Sequence, residues 1–253
     1  MTGKRPDEMR MLRQCFLASL AIVICIPSFA KAKIVKQQVE YQGNSRVFYR
    51  FIPDIDGPLP LIVLLHGSFR NGWVMADSWK SLAKRGGFMI AAPDSSNDAG
   101  WTLKDDPPDL LHLIVTKMSE EHSLDKARVF LFGHSAGARY ALDLALVDSA
   151  YYTAIAIHAG ALEPRNYNLF ANVSRKVPIA IWTGRNDRIV PVQTVVTTKE
   201  PFEAHGFPVR LSIIPNHDHT YEEVDSQVNS AAWAFFQTSE PKSAALSSGT
   251  NEH

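Results

Sequence analysis

The chain has 253 residues and carries 26 bases and 26 acids, so its formal charge at neutral pH is zero. That balance excludes the basic surface by which nucleic-acid binders hold phosphates. With 45% hydrophobic residues it can bury one sizeable core, and its length is short for two full domains.

Residues 1–32 read as a secretory signal. Lys4, Arg5, Arg10 and Arg13 precede an almost unbroken apolar run from Cys15 to Phe29, and Ser28-Phe29-Ala30 and Ala30-Lys31-Ala32 offer small-x-small cleavage sites. Asp7 and Glu8 lengthen the basic region and point to a start at Met9 or Met11. The run is short for a membrane span, which needs about 20 residues. The expectation is a periplasmic or secreted protein with no stable membrane insertion after cleavage. Cys15 and Cys25 both lie in this segment, so the mature chain, formally about −3, has no cysteine. Disulfides, thiolate catalysis and cysteine-ligated zinc are excluded from it.

Residues 33–237 read as one domain. Ile34 to Glu40 and Val47 to Ile52 form an opening strand pair. Leu59 to Leu65 is continuously apolar, as in a strand buried on both faces. Trp73 to Arg85 has helical spacing, ended by Gly86-Gly87. Phe88 to Ala92 is a second buried strand. Pro107-Pro108 opens a helix running to about His122. Val129 to Phe132 is a third buried strand, and Ala136 to Val147 a helix. Ala154 to His158 and Ile179 to Thr183 are strands, Val192 to Ala204 a helix, Val209 to Ile214 a strand and Tyr221 to Phe236 a closing helix. The polar, small-residue tail 238–253 reads as disordered. Alternating strands and helices predict an α/β fold, a mostly parallel sheet with helices on both faces. No insertion between His158 and Pro178 is long enough for a large lid.

In such sheets ligands bind at the carboxyl ends of the strands. Gly133-His134-Ser135-Ala136-Gly137 stands there, directly behind a buried strand. A serine on this sharp strand-to-helix turn presents its hydroxyl as a nucleophile. It needs a base and oxyanion donors. The acid candidate is Asp187, on a short loop after a strand, and Asp94 is the runner-up. The base candidates are His217 and His219, which position alone leaves open. The backbone N–H of Ala136 and that of Ser68 are the expected oxyanion donors, with Phe69 next after Ser68. His66, at a strand end, is expected to shape this loop. Trp73, Trp101 and Trp182, together with Phe69, are candidates to line the substrate groove. His217, Asp218 and His219 could meet a metal, but no further cluster has ligand spacing, so neither a metal nor another cofactor is expected.

These motifs resemble the α/β-hydrolase superfamily, and within it the small secreted esterases grouped with polyhydroxybutyrate depolymerases and feruloyl esterases. The resemblance rests on Leu65-His66-Gly67, Asp125-x-x-Arg128-Val129 leading into the serine motif, Ile157-His158-Ala159-Gly160, and Gly184-x-x-Asp187-x-x-Val190-Pro191. Asp218-His219-Thr220-Tyr221 is similar to the Asp-His-Ser-Tyr stretch of S-formylglutathione hydrolases, which implies His219 as base. Ala138 stands where the depolymerases often have a second glycine, and the cysteine often seen in their oxyanion loop is missing; these departures bear on the polymer substrate and leave the hydrolase reading intact. The resemblance implies a cofactor-free serine esterase acting through Ser135, Asp187 and His219 on a small or polymeric ester. The alternatives are a serine peptidase of the same fold and a catalytically silent binding module on this scaffold.

Overall fold

The computed structural model describes residues 32–239. The signal expected at 1–32 and the tail expected at 238–253 lie, apart from Ala32, Thr238 and Ser239, outside the described residues. The strands are β1 (Val35–Tyr41), β2 (Asn44–Phe51), β3 (Leu59–Leu65), β4 (Met89–Pro93), β5 (Leu124–His134), β6 (Ile155–His158), β7 (Ile179–Gly184) and β8 (Val209–Ile214). The helices are α1 (Gly72–Gly86), α2 (Pro108–Glu121), α3 (Ala136–Val147), α4 (Val192–Ala204) and α5 (Asp225–Thr238).

One sheet holds all eight strands in the order β1-β2-β4-β3-β5-β6-β7-β8. The pairs β1–β2 and β2–β4 are antiparallel, and the strands from β4 through β8 run parallel. This is the α/β-hydrolase fold, with no large lid among the described residues. Alternation along the central strands divides the core into two layers. Leu61, Val63 and Leu65 of β3 and Val129 and Leu131 of β5 face α2, α3 and α4. Ile62, Leu64, Phe130 and Phe132 face α1 and α5 on the other side. Each such side chain contributes about 1.5–3 kcal/mol by leaving water.

Local chemistry fixes where the helices start. Asn71 caps α1 by accepting from Val74 N at 3.1 Å. Asp94, the runner-up acid, accepts from Gly72 N at 2.7 Å and so ties the end of β4 to the start of α1. Between β6 and β7 the chain makes 3-10 turns over Pro164–Asn172, which bury Phe170 against Phe202 and Phe207.

Most boundaries that differ from the sequence expectation shift by one to three residues, and two shift further. Strand β5 begins at Leu124 rather than Val129, because pairing with β3 resumes at Leu59–Leu124 beyond a register shift. The closing helix is broken: Tyr221–Glu223 is a 3-10 turn, Val224 leaves helical geometry at φ −125°, and α5 starts at Asp225. The break turns Tyr221 inward. Its hydroxyl accepts from Trp79 Nε1 at 2.8 Å and donates to Asn229 Oδ1, and Asn229 Nδ2 reaches Ser78 O at 3.3 Å. This buried chain fastens the segment after His219 to α1 and α5. Tyr221→Phe would orphan Trp79 Nε1 and Asn229 Oδ1 at a cost of about 1–3 kcal/mol. The expected result is a melting temperature lower by roughly 3–10 °C, read by calorimetry.

Candidate active site

Ser135 follows the last residue of β5 and occupies φ 53°, ψ −114°, a backbone region that residues with side chains rarely adopt. Neighbouring contacts impose this geometry. A Cβ at Gly133 would stand 2.3 Å from Gly137 O, and one at Gly137 would stand 2.3 Å from Leu65 O. Both positions therefore need glycine for α3 to start this close to β3 and β5. Ser135 N donates to His158 O at 3.0 Å, and Arg139 N to Ser135 O at 3.0 Å. The hydroxyl is thus thrown forward at the carboxyl end of the sheet, at the first turn of α3.

Three of the expected residues meet there. His219 Nε2 lies 2.8 Å from Ser135 Oγ, and His219 Nδ1 lies 2.7 Å from Asp187 Oδ2. Asp187 is buried, and its other oxygen accepts from Ile189 N at 2.9 Å and Val190 N at 2.8 Å. One carboxylate oxygen is therefore held by its own loop, which leaves the other aimed at His219. Asn186 N to His217 O at 2.9 Å and Arg185 N to Ile214 O at 3.0 Å join this loop to the one carrying His219. His217 points elsewhere: it is buried, its Nδ1 stands 3.8 Å from Glu223 Oε2, and its Nε2 has no hydrogen-bond partner.

The loop after β3 lies against the serine, since a Cβ on Gly67 would come within 3.2 Å of Ser135 Cβ. Phe69 N is spent on Asp98 O at 2.6 Å, which leaves Ser68 N as the loop's oxyanion candidate beside Ala136 N. His66 shapes this loop. Its Nδ1 donates to Gly67 O at 2.8 Å while Nε2 accepts from Ser95 N at 3.0 Å, a pattern that only the neutral ring can make. Burial lowers its pKa accordingly.

A cleft of about 400 Å³ opens over Ser135, lined by the Gly67–Arg70 loop, His134, Ile189 and the His219–Glu222 segment. Phe69 is 79% exposed and belongs to it. Trp101 and Trp182, expected in the groove, do not line it. Trp101 is buried because its Nε1 finds His66 O at 2.9 Å and its ring stacks on Tyr140. Trp182 packs against the α1/α5 layer of the core. Trp73 is exposed but lies outside the cleft. A larger groove, about 700 Å³, is a polar one between the β1–β2 hairpin and residues 94–105, and it shares no residue with the Ser135 cleft. Among the described residues, His217, Asp218 and Glu223 bring three potential metal-ligand atoms within 4.8 Å of one another, beside the cleft rather than at Ser135.

Sequence reasoning missed a histidine stack behind the serine. The β5–β6 register pairs His134 with His158, and their Nδ1 atoms lie 3.1 Å apart. His134 stacks in turn on Tyr221 and meets His219 at a tilt of 45°, and His158 meets His217 at 40°. The signal was present as histidines at the ends of two adjacent apolar strands. Burial, reinforced by the His219 charge, pushes His134 down to about 3, and burial with neighbouring histidines pushes His158 down to about 2. Both rings are neutral at any ordinary pH.

By sequence, residues 89–232 match the phospholipase/carboxylesterase family. No curated protein matches the chain. Solved structures share its fold at low identity. The fluorophosphonate-binding serine hydrolase F of Staphylococcus aureus, FphF, is 13% identical over 81% of this chain and 98% of its own, with a TM-score of 0.69. A CE1 ferulic acid esterase from Anaeromyces mucronatus is 18% identical over 82% of this chain and 90% of its own, at 0.66. An S-formylglutathione hydrolase from Agrobacterium tumefaciens is 15% identical over 82% and 95%, at 0.63.

The histidine stack carries a pH signature. Unfolded histidines take up protons near pH 6.5, whereas folded His134 and His158 resist until about 3 and about 2. The unfolded chain binds more protons below pH 6.5, so this stability is fully present above that pH and is lost as pH falls from 6.5 towards 3. The expected outcome is a melting temperature several degrees lower at pH 5 than at pH 7, with a smaller drop in His158→Asn.

Proposed function

This chain belongs to the phospholipase/carboxylesterase family, and from that premise we propose that it is a serine esterase that hydrolyses carboxylic esters through an acyl-enzyme on Ser135. The observation that carries the proposal is the unbroken hydrogen-bond chain from Asp187 through His219 to Ser135 Oγ. His219 Nε2 takes the hydroxyl proton as Ser135 Oγ attacks the ester carbonyl. The N–H groups of Ser68 and Ala136 hold the oxyanion, and Asp187 holds the imidazole in its tautomer and stabilises the imidazolium. Collapse of the tetrahedral species expels the alkoxide, which takes the proton from His219 Nε2. Water then attacks the acyl carbon with His219 again as base, and the acid leaves as Ser135 Oγ recovers its proton.

Removal of the nucleophile or base should be catastrophic for turnover. With p-nitrophenyl butyrate, Ser135→Ala and His219→Ala are each expected to lose at least ~10⁴-fold in kcat, as triad losses do elsewhere. His217→Ala is expected to keep most of its activity. An active Ser135→Ala variant would reject the mechanism, and an inactive His217 variant beside an active His219 one would reassign the base.

The basic and apolar residues 1–32 support export to the periplasm or beyond. Fused ahead of alkaline phosphatase lacking its own signal, residues 1–40 should yield active phosphatase outside the cytoplasm; an inactive, cytoplasmic fusion rejects export.

A further inference from the structure

The Ser135 cleft has two walls that belong to different loops. One is the oxyanion loop, Gly67 to Arg70. The other is the segment from His219 to Glu222. Two apolar side chains stand at its mouth, Phe69 at 79% exposure and Ile189 at 72%. Single exposed apolar residues are ordinary on a protein surface, but two facing one cleft mark a place where an apolar group is held. Phe69 is also kept at φ 59°, with its N–H bound to Asp98 O, so its ring is presented by a constrained backbone.

On the far side of Ile189 lies a second cleft of about 440 Å³, which shares Ile189, His219 and Thr220 with the first. Asn186, Arg188, Asn216, Asp218 and Glu223 make it polar. An ester carbonyl at Ser135 therefore has an apolar space on one side and a polar space on the other, with His219 touching both. The polar space suits the alcohol, whose oxygen must receive a proton from His219. The apolar one, bounded by Phe69 and Ile189, suits the acyl chain.

The two walls of the acyl cleft are joined. Arg70 Nη2 lies 2.8 Å from Glu222 Oε1, with both side chains about half exposed, at 55% and 48%. Arg70 is the next residue after Phe69, and Glu222 lies three residues beyond His219. The guanidinium is close enough for its charge to be felt at His134 on the cleft floor. An ion pair this exposed adds little to folding stability. Its effect falls on what the cleft can hold.

We propose that the Arg70–Glu222 ion pair is a strap across the acyl cleft that limits this enzyme to esters of short acyl chains. The inference rests on the esterase reading. A chain of a few carbons ends under the strap, between Phe69 and Ile189. A longer one meets two hydrated charges that it must displace.

The test compares kcat/KM for p-nitrophenyl acetate, butyrate, octanoate and decanoate in the wild type, Arg70→Ala, Glu222→Ala and the double charge swap Arg70→Glu/Glu222→Arg. The wild type should favour the short esters. Each single variant should raise the octanoate-to-acetate ratio by about tenfold, the scale on which a pocket wall discriminates chain length. The swap should return the ratio towards the wild-type value. A wild type that prefers octanoate, or a ratio unmoved in both single variants, overturns the strap. A swap that behaves like the single variants overturns it too, since bulk and not the ion pair then sets the limit. A wild type that turns over no ester in the series, and leaves a fluorophosphonate probe unattached to Ser135, overturns the esterase reading and the strap with it.

Discussion

The site depends on one steric constraint, the left-handed backbone of Ser135. A serine at φ 53° is unfavourable by itself, on the order of 1–3 kcal/mol. It persists because α3 is packed against the ends of β3 and β5 so closely that Leu65 O occupies the space of a Gly137 side chain. The two apolar layers on either side of the sheet supply the free energy that holds this contact. The hydroxyl is presented to the cleft at the sheet end as a consequence of core packing.

The partners of Ser135 follow from the same sheet. Asp187 stands on the loop leaving β7 and His219 on the loop leaving β8, and parallel neighbours bring both to one end. Exchange of backbone hydrogen bonds between these loops reduces the freedom of each to move alone. Tyr221, two residues after the histidine, is tied into the core by Trp79 and Asn229. His219 is thus positioned from both sides of its loop, by Asp187 ahead and by Tyr221 behind.

Much of this was legible in the sequence for identifiable reasons. Leu59–Leu65 and Val129–Phe132 are apolar at every position because both faces of those strands are covered. The order Ser135, Asp187, His219, each on the loop after a strand, is a pattern of chain positions that needs no coordinates. What was not legible depends on contacts between distant residues. Trp101 is buried because a carbonyl, His66 O, is available to its indole N–H, and no local pattern reveals that carbonyl. His134 and His158 meet only through the β5–β6 register. The break at Val224 arises because Tyr221 is drawn inward to partners on two other helices, against the helical spacing of its own segment.

The segment between β6 and β7 bears on the acyl group that the proposed mechanism places on Ser135. Those residues bury Phe170 against Phe202 and Phe207, and none of them lines the cleft. In the proposed mechanism bulk solvent would therefore reach the acyl carbon, with His219 in place to deprotonate an incoming molecule. Water, present in great excess, outcompetes any alcohol that is not held in place. On that mechanism, release of the acid would be favoured over transfer of the acyl group to a second acceptor.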